Sequence, residues 1–237
     1  MVSITMEDVW VRIEGVEVLR GVNISIEEGV SYAIVGRNGA GKTTLLRTIL
    51  GIIKPSRGRV IARKGDVILD MTKTPPHRMA RLGVGYVPQG RMIFPDLTAL
   101  ENLEVAYGGP VPGDVIEWIY TILPELKRFI DRKGRYMSGG EQQIVAIARA
   151  LVRKPSLIIL DEPLEGLAPR VVKSILDALS EIKKEGVSIL ITESGAISRV
   201  KHIAEWAYGI DRGEIIYRGN LEDIERNPEA RKRIWGL

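Results

Sequence analysis

The run Gly36-Arg37-Asn38-Gly39-Ala40-Gly41-Lys42-Thr43-Thr44 fits the phosphate-cradling pattern G-x-x-x-x-G-K-[ST]. Its glycines let backbone N–H groups turn in on phosphates, Lys42 can reach the β- and γ-phosphates, and the Thr43 hydroxyl is offered to magnesium. A second group of reactive types is Asp161-Glu162-Pro163, two carboxylates at the end of the apolar run Leu157-Ile-Ile-Leu160. Asp161 is suited to hold the metal and Glu162 to orient and activate a water, the separate task that phosphoryl transfer to water requires. A third is Met137-Ser138-Gly139-Gly140-Glu141, where Ser138 and Glu141 have capping-box spacing and two glycines bare a helix N-terminus toward an anion. Together these residues predict a site for a nucleoside triphosphate and magnesium.

The P-loop pattern needs a strand before it and a helix after it. Residues 31–35 read as a buried strand and 44–50 as a helix. From Ile4 to Ile26 apolar residues alternate in two runs broken at Glu14-Gly15, which predicts an antiparallel hairpin. Short strands are expected near 59–62, 66–69, 83–88, 157–160, 187–191, 207–210 and 215–217, with a helix over 171–183. The helix after Ser138 carries Ile144, Ile147, Ala148 and Leu151 at helical spacing and should turn one face inward. Alternating strands and helices predict an α/β fold: a P-loop NTPase core of mostly parallel sheet with an antiparallel β-layer. Residues 91–153 read as an inserted helical subdomain, and 1–237 as a single domain. The basic stretch 228–237 reads as a short helix with Ile234 and Trp235 as docking residues.

With 237 residues, 45% of them hydrophobic, the chain can bury a substantial core. Its lack of cysteine excludes disulfides, thiolate metal sites and thiol nucleophiles. No apolar run approaches the length of a bilayer span, and the N-terminus lacks a signal-peptide pattern, so a cytoplasmic protein is expected. The net charge of +4 is spread among thirty acidic residues, so clusters such as Lys127-Arg128 and Arg231-Lys-Arg233 read as solvated faces and no nucleic-acid partner is expected.

The three motifs together resemble the ATP-binding subunits of ABC transporters, whose signature L-S-G-G-Q lies between a P-loop and an L-x-x-x-D-E-P strand. The resemblance covers essentially the whole chain. It implies ATP and magnesium as cofactors, contacts to the nucleotide from Gly36, Asn38, Gly39, Ala40, Gly41, Lys42, Thr43 and Thr44, and magnesium on Thr43, Gln89 and Asp161. It makes Glu162 and Gln89 catalytic, Gln89 as the residue that touches magnesium and senses the membrane subunit. It implies that two such chains, identical or homologous, sandwich ATP between one P-loop and the other chain's Ser138-Gly139-Gly140-Glu141. Gln89-Gly-Arg91, Ile93-Phe-Pro-Asp-Leu-Thr98, Glu101-Asn-Leu103 and Asp161–Pro169 look like the smaller ATPase of branched-chain amino-acid importers. That implies permease partners, an indirectly linked solute-binding protein and a place on the cytoplasmic face of the membrane. Urea and short-amide importers share much of the pattern, and soluble ABC ATPases of nucleic acid or ribosomes, or an ATP-binding regulator, are the rival classes.

Three positions depart from the family pattern. Ser194 stands where most members have a histidine that contacts the γ-phosphate, Ile13 where an aromatic ring stacks on adenine, and Ala168 where many have an aspartate. The resemblance then implies a slow site on this chain's own P-loop, apolar contact in place of ring stacking, and altered communication across a dimer. The two histidines, His77 near a turn and His202 on an expected helix, read as surface residues.

Overall fold

The computed structural model describes residues 1–195 and 197–235. An antiparallel sheet has the order β2-β1-β4-β5, built from β1 (Ser3–Ile13), β2 (Val16–Ile26), β4 (Arg57–Lys64) and β5 (Val67–Asp70). Glu14 and Gly15 both take positive φ, 48° and 85°, which is what a two-residue hairpin of the primed type requires. The alternation of β1 changes phase at Asp8, where φ is 45° and the pairing with β2 slips, so burial moves from Ile4 and Met6 to Val9 and Val11.

The second sheet has the order β10-β9-β3-β8-β7-β6, from β3 (Tyr32–Val35), β6 (Val84–Val87), β7 (Leu157–Leu160), β8 (Ser188–Glu193), β9 (Trp206–Asp211) and β10 (Glu214–Asn220). Its pairs are parallel except β9 with β10. β3, β7 and β8 are buried at every position, the unalternating apolar run of strands covered on both faces. One core lies between the two sheets, together with α1 (Lys42–Ile49) and α2 (His77–Leu82). The other lies on the opposite face, under α3 (Ala99–Tyr107), α4 (Gly113–Ile122), α5 (Gly139–Leu151) and α6 (Pro169–Lys184). α7 (Leu221–Arg226) and α8 (Pro228–Trp235) close the described chain and add Leu221, Ile224 and Ile234 to that second core.

α6 shows why such segments are helical: Ile175, Ala178, Leu179 and Ile182 make one buried stripe at the three-and-four spacing, and Pro169 presets its first turn. α5 departs from the one-face expectation. Gln143, Val145, Ala146 and Ala150 are buried as well as the stripe, because α3 and β6 cover its other sides. Gly85 permits the last of these contacts, since a Cβ there would sit 2.5 Å from the Ala150 carbonyl oxygen. His202 does not lie on a helix: residues 201–203 form a turn after the short 3₁₀ segment Ile197–Arg199. Ile234 is fully buried within this chain's own core and Trp235 packs against it, so both dock inward.

Topology now fixes the place of the chemistry. Because β3, β8, β7 and β6 run parallel, their carboxyl ends bring Gly36, Ser194, Asp161 and Gln89 out along one edge of one sheet. Gly85→Ala should cost about 1–3 kcal/mol of stability through overpacking of β6 on α5. Denaturant unfolding checks this, and an unchanged midpoint would show that the two elements do not press on each other.

Candidate active site at the carboxyl edge of the parallel sheet

The loop after β3 turns at Gly39 and Gly41, with φ of 80° and 109°, and Gly36 lies so close to β9 that a Cβ would meet the Ile210 carbonyl oxygen at 2.3 Å. Gly41 is the N-cap of α1 and supplies no side-chain acceptor, so the first N–H groups of that helix are uncapped by a side chain beside Lys42, Thr43 and Thr44. Arg37, Asn38 and Gly39 are exposed and Ala40 is buried.

Lys42 is buried, and its three donors have three acceptors. Nζ donates to the carbonyls of Gly36 at 2.8 Å and Arg37 at 2.9 Å, and lies 3.0 Å from Glu162 Oε1. The Glu162 side chain is 7% exposed, and its other oxygen accepts from Ser194 Oγ at 2.7 Å. Its backbone has φ 47°, an uncommon place for a residue with a Cβ, and its N–H donates to Thr192 Oγ1 at 2.7 Å. Thr192 in turn donates to Asp161 Oδ1 at 2.9 Å. Asp161 Oδ2 is buried without a hydrogen-bond partner among the described residues. Burial pushes the Asp161 carboxyl above the usual range; hydroxyls of Thr192 and Thr43 oppose the shift, and the neighbouring Glu162 charge adds to it.

The structure therefore brings Lys42, Thr43, Asp161, Glu162 and Ser194 together. Gln89 stands apart: it is exposed, and its amide donates to Glu165 Oε2 at 2.8 Å, in the loop after Glu162. Ile13 is 38% exposed at the tip of the first hairpin. Ser138, Gly139, Gly140 and Glu141 start α5, and none of their hydrogen bonds among the described residues reaches the P-loop. There Ser138 Oγ accepts from Glu141 N at 3.3 Å, while Glu141 takes the Ser138 N–H at 2.8 Å and Arg132 at 2.8 Å. Burial pushes the Glu141 carboxyl up, yet these donors hold it below its ordinary value.

Sequence reasoning did not single out Thr192 or Glu193. Thr192 is fully buried and links both carboxylates; its role becomes visible once β7 and β8 are known to be neighbours. Glu193 is buried, its Oε1 accepts the Gly195 N–H at 2.6 Å, and burial raises its carboxyl despite Arg199 nearby.

A buried lysine in a glycine-rich loop, two successive carboxylates after the end of β7 and a parallel sheet define a P-loop ATPase. The model of the ABC transporter family matches residues 19–165, more than half of the chain, and the chain belongs to that family. It is 32% identical to the high-affinity branched-chain amino acid transport ATP-binding protein BraG of Pseudomonas aeruginosa, covering 93% of this chain and 94% of that one. It is 34% identical to the lipopolysaccharide export system ATP-binding protein LptB of Acidithiobacillus ferridurans, over 92% of this chain and 90% of that one. The solved ADP form of an ATP-binding cassette of an ABC transporter superposes with a TM-score of 0.82 at 28% identity over the full length of both chains. A dimeric cassette in a post-hydrolysis state with ADP and phosphate gives 0.79 at 26% identity, over 92% of this chain and 98% of that one. The chain is accordingly an ATP hydrolase of the cassette type.

Thr192→Val leaves the Glu162 N–H and Asp161 Oδ1 without their partner and should cost about 1–3 kcal/mol; unfolding midpoints measure it, and a wild-type midpoint refutes the link. Glu141, held below its ordinary value, contributes stability that is full above about pH 4.5 and is lost as pH falls through the lowered value. Glu141→Ala should therefore cost about 0.5–1 kcal/mol at pH 7, with the difference from wild type shrinking in acid. Unfolding at pH 7 and pH 3 reads this directly.

Proposed function

We propose that this chain is the ATP-hydrolysing subunit of an importer for branched-chain amino acids, seated on the cytoplasmic face of the membrane against permease subunits. In this reading residues 1–237 form one cassette in which 91–153 is a helical subdomain. One observation carries the assignment of the site: a carboxylate, Glu162, rests on the P-loop lysine while a second buried carboxylate keeps one oxygen unpaired beside Thr43. The choice of solute rests on BraG and on LivF of Archaeoglobus fulgidus, the latter 33% identical over 93% of both chains.

The residues fit magnesium. Asp161, Thr43 and Gln89 offer only hard oxygen ligands, and no group of three or more His, Cys, Asp or Glu among the described residues forms an all-protein cage. Asp161 and Thr43 would hold the ion, joined by Gln89 once its amide leaves Glu165, and the ion would supply positive charge to the phosphate oxygens.

Lys42 has no fourth donor, so a γ-phosphate that takes its ammonium competes with Glu162 for it. The displaced carboxylate stays at the site through Ser194 and there accepts a proton from the attacking water. That water's oxygen bonds to the γ-phosphorus, the bond to the β–γ bridging oxygen breaks, and ADP and phosphate leave. The P-loop residues Gly36, Asn38, Gly39, Ala40, Gly41 and Thr44 hold the phosphates, and Ile13 lies against adenine. Ser138, Gly139, Gly140 and Glu141 complete the nucleotide site of a second cassette, in line with the dimeric relative. A groove of about 410 Å³ beside β6, α3 and α5, lined by Tyr86, Arg91, Met92, Arg149 and Arg153, gives a permease segment a basic-rimmed seat next to Gln89.

Glu162→Gln should lower ATP turnover about 10²- to 10³-fold with ATP affinity retained. In vesicles carrying the chain with its permease subunits, the same substitution should abolish ATP-driven uptake of labelled leucine. Turnover at the wild-type rate would remove Glu162 from the mechanism, and hydrolysis stimulated by another solute but not by leucine would overturn the substrate.

A further inference from the structure

The last described helix is attached to the site at two points. Ile234, fully buried, fits where Gly209 has no side chain: a Cβ on Gly209 would meet Ile234 Cδ1 at 2.8 Å. Gly209 is the register partner of Val35, the last residue of β3 before the P-loop. One residue on, Trp235 Nε1 donates to the backbone carbonyl of Ser194 at 3.2 Å. Ser194 directly follows Glu193, which is the register partner of Val35 on the other side of β3. Thus the end of α8 reaches from β9 to the end of β8, across the strand that feeds the P-loop.

The hydroxyl of Ser194 hangs on a single side-chain torsion, so its distance from Glu162 is decided by where the backbone of Ser194 lies. On one side the backbone is anchored by Glu193, paired with β3 and bonded to the Gly195 N–H, and on the other the indole of Trp235 holds the Ser194 carbonyl itself. A chain of contacts follows: Trp235 to Ser194, Ser194 to Glu162 at 2.7 Å, Glu162 to Lys42 at 3.0 Å. The indole ring is also partly buried against the larger core cluster.

The geometry points to Trp235 as a positioning residue for ATP hydrolysis: α8 is a strap that holds Ser194 where its hydroxyl can keep Glu162 at the site after Lys42 has changed partners. This rests on the reading of Glu162 as the group that activates water. Trp235 acts through Ser194, whose carbonyl it holds.

Trp235→Phe keeps a ring and deletes the donor. ATP turnover is measured for the wild-type chain, W235F, S194A, the double variant and E162Q, each also checked for its thermal midpoint. W235F is expected to lower kcat about three- to tenfold with KM within twofold, the range of one lost hydrogen bond. In the S194A background it should have no further effect, which separates action through Ser194 from a general weakening of the fold. Full turnover in W235F, or the same loss with and without Ser194, overturns the strap. Wild-type turnover in E162Q would instead sink the assignment of Glu162.

A second readout needs no turnover. In ¹⁵N–¹H spectra the indole N–H of Trp235, assigned by its absence in W235F, should move on saturation with a non-hydrolysable ATP analogue and magnesium, and should stay still in S194A. The Trp118 indole, bonded to Glu185 at 3.1 Å on the helical side, is the internal reference. A Trp235 resonance that does not respond, or responds equally in S194A, overturns the proposal.

Discussion

A buried ammonium group has to satisfy three donors without water, and Lys42 does so with two carbonyls of its own loop and one carboxylate from another strand. The loop must curl tightly enough to turn the Gly36 and Arg37 carbonyls back on the lysine, hence the glycines at positive φ. The carboxylate must arrive from β7, two strands away, hence the parallel order that sends β3, β8 and β7 out at the same edge. Even the unfavourable backbone of Glu162 has a use here, since φ 47° accompanies an N–H on Thr192 and a side chain on Lys42. The strain is local and is held by bonds on both sides of the residue.

The same contact explains the polar wiring of β8. Leu190 and Ile191 are ordinary buried strand residues, yet Thr192, Glu193 and Ser194 after them are polar in succession. Each has a distinct partner: Thr192 joins the two carboxylates, Glu193 takes the Gly195 N–H, and Ser194 holds Glu162. The short Ser194 side chain brings its hydroxyl to the carboxylate directly.

Much of the fold could be read from the chain because strong local signals agreed. Glu14-Gly15 between alternating runs gave a hairpin, the all-apolar runs gave buried strands, and Ser138 with Glu141 gave a capped helix. The helix expected at His202 did not form; Ile203 and Ala204 there are core residues in a turn that leads into β9. α5 proved buried on more sides than its stripe implied, because small residues such as Ala146 and Ala150 carry no clear facing signal. At the site, Lys42, Asp161 and Glu162 stood out by type and spacing. Thr192 and Glu193 did not, and Trp235 did so only as a docking residue, because Thr192 and Trp235 meet partners thirty or more residues away and Glu193 is placed at the site by strand order. Local patterns report local geometry; a network closed by the sheet has to be seen in the sheet.

Ala168, at the start of α6, brings no side-chain acceptor to the first turn of that helix, and Pro169 and the buried stripe of Ile175, Leu179 and Ile182 hold it instead. The start of α6 is therefore independent of a side-chain cap at residue 168. Within the preceding loop Leu167 packs on the core and Gly166 takes φ 65°, so Ala168 is the position there whose side chain the helix does not use, and a change at it leaves the folding of α6 to the proline and the stripe.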